Sequence, residues 1–267
     1  MRLSRYFACA LIAAGSTLGA TPLPVGQRHA ATDFRWHSAI AAGQSIEIKG
    51  VNGDVTAEPA RGNEVEVTAV RRGERSDPEG VRLDVVPHGG GVTICAVYPS
   101  PEGRSPNECR PGAEGRMNTQ NNDVRVKFTV RVPQGVRFIG RTVNGDVEAA
   151  ALTGPVSIKT VNGSASFSTS SYGDAATVNG SVRATLGSSD WTEELDFSTV
   201  NGSITIDLPA DTSADVRAST VNGEISTDFP LTVTGRFSPR RLSGTIGAGG
   251  RALSLETVNG SVQLRRR

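Results

Sequence analysis

One tetrapeptide restricts what this chain can fold into more than any other feature. Thr-Val-Asn-Gly begins at Thr142, Thr160, Thr177, Thr199, Thr220 and Thr257, and Val51-Asn52-Gly53 is an earlier, shorter copy. Successive asparagines Asn144, Asn162, Asn179, Asn201 and Asn222 stand 18, 17, 22 and 21 residues apart, and Asn259 closes the series. A near-constant period of about 20 residues is the mark of stacked units. Asn-Gly readily takes positive φ at both positions, so each pair reads as a structural corner between two extended segments. The pairs are Asn52-Gly53, Asn144-Gly145, Asn162-Gly163, Asn179-Gly180, Asn201-Gly202, Asn222-Gly223 and Asn259-Gly260. Ser243-Gly244 reads as a degenerate copy.

The flanking residues alternate as strands do. Leu195, Phe197 and Thr199 precede Asn201, and Ile204, Ile206 and Leu208 follow it. Val156, Ile158, Thr160, Ala165 and Phe167 repeat the pattern around Asn162, as do Val216, Ala218, Thr220, Ile225 and Phe229 around Asn222. Each unit is thus two short strands sharing one apolar face. One pair cannot bury that face alone; stacked neighbours can. The expectation is an all-β chain with a β-helix-like β-solenoid over 136–267. A series of antiparallel hairpins with Asn-Gly at each tip is the open alternative.

Residues 44–135 read as a preceding β region. Gln44 to Glu58 is the isolated first copy, with Phe34 and Trp36 upstream to cover the open end. Strand-like segments follow at Asn63–Val70, Val81–Val86, Val92–Tyr98 and Val124–Val132. Arg71–Gly80 and Pro99–Asn122 read as surface loops. With 31 glycines and only 5% aromatic residues among 267, tight turns and strands fit the composition better than helices.

Residues 1–20 have the layout of a secretory signal, with Arg2 and Arg5 before an apolar run and Leu18-Gly19-Ala20 at its end. Residues 21–43 read as an N-terminal linker. Removing Arg2 and Arg5 from the 28 basic residues leaves 26 against 27 acidic ones, which gives no electrostatic reason to bind nucleic acid. No second apolar stretch is long enough to span a membrane, so the mature chain is expected to be periplasmic, at the cell surface or secreted. Cys95 and Cys109 remain after cleavage, and an even count in an exported chain points to a disulfide between them. A metal site using both cysteines and His88 is the competing reading, without a fourth ligand.

No catalytic constellation stands out. His29 and His37 lie in or beside the N-terminal segment, and His88 precedes Gly89-Gly90-Gly91 as a turn residue would. There is no nucleophile elbow or phosphate loop. A polysaccharide-cleaving β-helix would need carboxylates such as Asp54, Asp146, Glu224 and Asp196 to converge in one groove, and their positions in the repeat order are dispersed. The glycine-rich loops of calcium-binding β-rolls are missing. Arg125, Lys127 and Arg131 read as the polar face of one strand, and Arg265 to Arg267 as terminal solubilising charge. No catalytic residue, metal or cofactor is expected.

The Thr-Val-Asn-Gly copies, Leu208-Pro209-Ala210, Asp228-Phe229-Pro230-Leu231, Gly247-Ala248-Gly249-Gly250 and the closing Thr257 to Val262 resemble bacterial β-strand-repeat proteins catalogued as candidate adhesins of unassigned function. The resemblance covers roughly Gln44 to Leu264. It implies a β-helix-like solenoid at the cell envelope, with a protein or polysaccharide partner and no catalytic residues to carry over.

Overall fold

The computed structural model describes residues 32–233 and 238–267. The signal-like segment 1–20 and residues 21–31 after it lie outside the described residues. The described chain is all-β apart from one 3-10 turn at Pro78–Gly80, and its strands form two mixed, unclosed sheets of 10 and 11 strands.

The chain passes from one sheet to the other and back. Arg137–Arg141 lies in the 11-stranded sheet, the corner at Thr142–Gly145 turns the chain, and Val147–Leu152 lies in the 10-stranded sheet. A second turn returns it to Val156–Lys159, which pairs parallel with Arg137–Arg141. Ala165–Thr169 likewise pairs parallel with Val147–Leu152. The pattern continues through Gly173–Ala176, Val182–Leu186, Leu195–Asn201 and Ile204–Leu208. Each Asn-Gly corner here joins strands of different sheets, so the corners are not hairpin tips.

Strand alternation then decides the core. Val156, Ile158, Ala165, Phe167, Leu195, Phe197, Ile204, Ile206 and Leu208 are all buried, pointing into the space between the sheets. Phe167 and Phe197 face each other across it, their ring centroids 6.3 Å apart and their planes 19° from parallel. Removal of this apolar surface from water is the main term that holds the two sheets together.

The two ends depart from this simple order. Ala252–Asn259 pairs parallel with Leu195–Asn201 on one side and with Ala214–Asn222 on the other. Val262–Arg266 pairs likewise with Ile204–Leu208 and with Ile225–Thr227. The last repeat of the sequence therefore sits between the Asn201 and Asn222 repeats. Beyond Ala214–Asn222 the 11-stranded sheet ends in two antiparallel strands, Arg241–Ile246 and Leu231–Val233. Ser243 and Gly244 lie within the first of these, opposite Arg217 and Val216, so they are not a degenerate corner: they stand in the middle of a strand that has neighbours on both sides.

At the other end, Gly91–Val97 and Arg125–Val132 stack parallel on Ser45–Lys49 and Val55–Pro59. They form one more unit whose corner is replaced by the excursion at 98–124. Antiparallel strands finish both sheets: Arg82–His88 on one, Glu64–Arg72 and then Thr32–Ala39 on the other. Phe34 and Trp36 in the last of these are partly buried against the core. Both sheets run without a break across residue 135, because Arg137–Arg141 pairs with Ser45–Lys49 and Val147–Leu152 with Val55–Pro59.

Candidate functional site

The repeated tetrapeptide builds one edge of the molecule. The threonine points inward: Thr160 Oγ1 donates to the Gly145 carbonyl oxygen (2.9 Å), Thr177 to that of Gly163 (2.7 Å) and Thr199 to that of Gly180 (2.8 Å). The asparagine points outward into a ladder of side-chain amides. Nδ2 of Asn144, Asn162, Asn179, Asn201, Asn259 and Asn222 each donates to the Oδ1 of the preceding rung, at 2.7–2.8 Å. The corner backbone is satisfied vertically as well. Asn162 N–H donates to the Val143 carbonyl (2.7 Å) and Gly163 N–H to the Asn179 carbonyl (3.0 Å).

None of these asparagines has positive φ, and among the corner glycines only Gly53 and Gly260 do, at 121° and 158°. The expectation of positive φ at both positions is therefore corrected. What demands glycine is the close approach of the next rung: a Cβ at Gly163 would stand 2.0 Å from the Gly145 oxygen, and one at Gly202 1.9 Å from that of Gly180. The valines between threonine and asparagine are left outside. Val143, Val161, Val178, Val200, Val258 and Val221 are 36–56% exposed and form a single apolar row along the corner. Val51 is the exception and is buried.

The excursion at 98–124 folds back over the outer face of the 11-stranded sheet. Cys95 and Cys109 are disulfide-bonded, their Cα atoms 5.7 Å apart, and pack with Val97, Val86 and Met117 in a small second core. Beneath the excursion Glu47 is buried, accepting from Arg141 Nε (2.8 Å), Thr93 Oγ1 (2.8 Å) and Gly112 N–H (2.9 Å). Lys49 Nζ donates to the carbonyl oxygens of Arg110 and Glu114, and its burial holds the ammonium below the usual lysine range. His88 is the last residue of a strand rather than a turn residue, and its Nε2 contacts Thr93 Oγ1 at 3.3 Å. Glu47 and Lys49 thus fasten the excursion to the sheet beneath it.

The outer face of the 10-stranded sheet is different. A groove of about 500 Å³ crosses the strands from Val147–Leu152 to Val262–Arg266. Strand register places Glu148, Ser166, Arg183 and Thr205 in one row across it. Ser168, Thr185, Asp207 and Arg265 form the next. Short hydroxyl side chains make the floor and long charged ones the walls. Farther along the same face Arg131 pairs with Glu58 (3.2 Å) and Glu66 (3.8 Å), and His37 Nδ1 lies 3.2 Å from Glu64 Oε2. Among the described residues Glu148, Arg183, Asp207 and Arg265 form no ion pair. The groove wall also carries a β-bulge, where pairing shifts between Phe167 and Thr169 and Ala151 sits at φ 52° with its N–H donating to Ser168 Oγ (2.8 Å). An alanine in the left-handed region costs roughly 1–2 kcal/mol.

The Toastrack DUF4097 family model matches residues 141–265, just under half of the chain. Residues 141–265 are thus similar to the Toastrack family. The whole of the groove, from Glu148 to Arg265, falls inside this Toastrack segment, and the disulfide-held excursion falls outside it. No curated protein matches the sequence. Among solved structures, a candidate cell adhesion protein from Clostridium sporogenes ATCC 15579 superposes with a TM-score of 0.52 at 10% identity, over 88% of this chain and 100% of its own. At that identity the likeness shows the fold alone. A candidate adhesin from Bacteroides fragilis NCTC 9343 gives a TM-score of 0.36 at 10% identity over 88% of this chain and 97% of its own.

The carboxylates singled out in the sequence do not converge. Asp54 and Asp146 are neighbours on adjacent rungs, where each Oδ1 accepts the N–H of the residue above, that of Asp146 (3.1 Å) and of Ser164 (2.7 Å). Glu224 lies at the far end of the Toastrack stack, where its N–H donates to Ser261 Oγ (3.3 Å). Asp196 is on the opposite sheet, and its carboxyl is pushed up by burial and by the neighbouring Asp174, Glu194 and Glu256. Among the described residues no cluster of His, Cys, Asp and Glu could hold a metal ion. The groove residues were missed in the sequence because only cross-strand register brings Ser166, Ser168, Thr185 and Thr205 together between unpaired charges.

Proposed function

We propose that this chain is an exported, non-catalytic β-solenoid of about 20-residue Thr-Val-Asn-Gly units, and that it serves as an adhesin-like binding module for a polymeric partner at the cell envelope. The observation that carries the reading is the groove of the Toastrack segment, whose four charged side chains form no ion pair among the described residues. Its floor is supplied by strands that are hydrogen-bonded on both sides, so it is held open without a ligand. The candidate cell adhesion protein that superposes on this chain is consistent with this use. Export is supported by the signal-like residues 1–20 together with the Cys95–Cys109 disulfide.

A glycosidase reading fits the groove poorly. Glu148 and Asp207 are three strands apart and offset by two residues, which separates their Cα atoms by roughly 16 Å. Paired hydrolytic carboxyl groups stand about 5–9.5 Å apart. Here Arg183 and Thr185 occupy the strand between Ser166 and Asp207.

The test has two parts. The full chain is expressed in a Gram-negative host and the N-terminus of the periplasmic product is determined; a start at Thr21 is expected, and retention of the chain in the cytoplasm overturns export. The purified product is then coated on beads and applied to an immobilised bacterial envelope fraction. Saturable retention above an albumin coat is expected, and retention no better than albumin sinks the adhesin-like reading.

A further inference from the structure

The chemistry of the groove narrows what it can hold. It lies on a sheet face, where the strand N–H and carbonyl groups are consumed by neighbouring strands, so a polypeptide cannot be captured by adding a strand there. Recognition must come from side chains. Those present are two guanidiniums, two carboxylates and four hydroxyls; Thr185 Oγ1 already donates to Asp207 (3.2 Å), Ser168 Oγ accepts from Ala151 N–H (2.8 Å) and Arg265 donates to Gln263 (2.7 Å), and the remaining donor and acceptor positions are open to a ligand. Forked donors and acceptors match adjacent hydroxyl groups on a ring. Glu148 and Arg183 face each other in one row with Ser166 between them, two strand spacings or roughly 10 Å apart, which leaves an unbridged gap of sugar-ring size.

Charge and size point the same way. The walls balance, two positive against two negative, so the groove has no net attraction for a polyanion. Its volume of about 500 Å³ is within the range of small-ligand sites, yet the only aromatic side chain lining it, Phe167, is buried beneath the floor. A ring therefore gains hydrogen bonds and little stacking, which makes single-site affinity weak and favours a repeating polymer that rebinds along its length. The bulge at Ala150 and Ala151 belongs to this wall: its left-handed alanine is held by Ser168, one of the floor residues, and bulges re-aim side chains where a site needs them.

We propose that the groove is a binding site for a neutral polysaccharide with vicinal hydroxyl groups, with Glu148 and Arg183 bridged by one ring and Asp207 and Arg265 contacting the next. This rests on the adhesin-like reading and supplies its ligand class.

The experiment is affinity electrophoresis of the full exported chain in native gels containing mannan, polygalacturonate or gelatin. Mannan is expected to retard the chain in proportion to its concentration. Arg183→Ala should weaken that retardation about tenfold, and Ser166→Trp, which fills the gap from a half-buried position facing the groove, should abolish it. Glu66→Ala, on the same face outside the groove, is the control, and urea midpoints of all three variants establish that they fold. Retardation by polygalacturonate alone or by gelatin alone overturns the neutral-glycan assignment, as does mannan binding that Ser166→Trp leaves intact. Bead adhesion that survives Ser166→Trp would overturn the groove while leaving the adhesin-like reading standing; loss of all bead adhesion by the parent chain would remove that reading itself.

Discussion

Between Asn144 and Asn201 the repeats that are neighbours in sequence are also neighbours in space; at the C-terminal end they are not. There the order across the sheets is Asn201, Asn259, Asn222, because the chain leaves a slot one strand wide in each sheet and fills it last. The corner chemistry is the same in both regions. Asn259 Nδ2 reaches Asn201 Oδ1 at 2.7 Å and Asn222 Nδ2 reaches Asn259 Oδ1 at 2.8 Å, as in the middle of the ladder. Identical corners thus permit stacking but do not dictate its order. Order comes from the connections: Arg241–Ile246 runs antiparallel along the outer side of Ala214–Asn222 and delivers the last two strands to the inner side.

The sharpest way to break the comparison is to delete the same length from each region. Removing residues 163–179 joins Asn162 to Gly180, takes out one whole unit and leaves every remaining corner with a partner. The product should retain a cooperative urea transition, since stability in a stack is close to a sum of nearest-neighbour terms. Removing residues 251–267, also 17 residues, empties the slot in both sheets and strands the Asn222 unit. That loss exceeds the margin of about 5–15 kcal/mol on which domains usually rest, so no cooperative transition is expected. A folded truncation would mean that the Asn222 unit can close directly onto the Asn201 unit.

Within the regular region the corner glycine should be the most sensitive single position. Gly163→Ala drives a Cβ into the carbonyl of the rung below and is expected to cost about 4 kcal/mol by urea denaturation. Gly62→Ala, with open space around it, should be near neutral. The interrupted corner answers differently. Replacing both Cys95 and Cys109 by serine is expected to cost about 3 kcal/mol, the loop-closure value for a bridge of this span. Hydrogen exchange should then rise across residues 99–123 and stay unchanged at the Asn162 and Asn179 corners, because the excursion lies over the sheet and is not part of it. Uniform loss of protection would show that the staple holds the stack as well.

Which residues face the core was legible in the sequence, because two-residue alternation survives from Val156 to Leu208 and buried positions follow it. The two cysteines were legible because an exported chain with two of them leaves one pairing. The corner positions were legible, but their physical cause was not: positive φ is a property of one residue, whereas the contact that excludes a Cβ at Gly163 is made by Gly145 of another rung. The slot for the last unit and the groove are hidden for the same reason. Ser166 and Arg183, or Leu253 and Val216, become partners only through register between strands, and repeats this similar offer many equivalent registers.

Tyr98 gives the smallest effect and the finest distinction between a regular and an interrupted corner. It is buried where an Asn-Gly pair would stand, and its hydroxyl donates to the Val124 carbonyl at 2.7 Å across the break. The Asn52 carbonyl, 3.4 Å from the same hydroxyl, also accepts from Val126 N–H at 2.7 Å, so only Val124 loses its donor when the hydroxyl is removed. Tyr98→Phe should therefore cost about 1 kcal/mol at neutral pH. Burial pushes the phenol up to about 12 from its ordinary value near 10, which means that folding favours the neutral form. The resulting stability is fully present below pH 10 and is lost as pH rises from about 10 to 12. Phenylalanine has no proton to lose, so the gap between parent and variant should close over that interval in urea titrations. A gap that stays constant to pH 12 would mean that the Tyr98 phenol is reached by water, and that the interrupted corner is held by the excursion rather than by the buried ring.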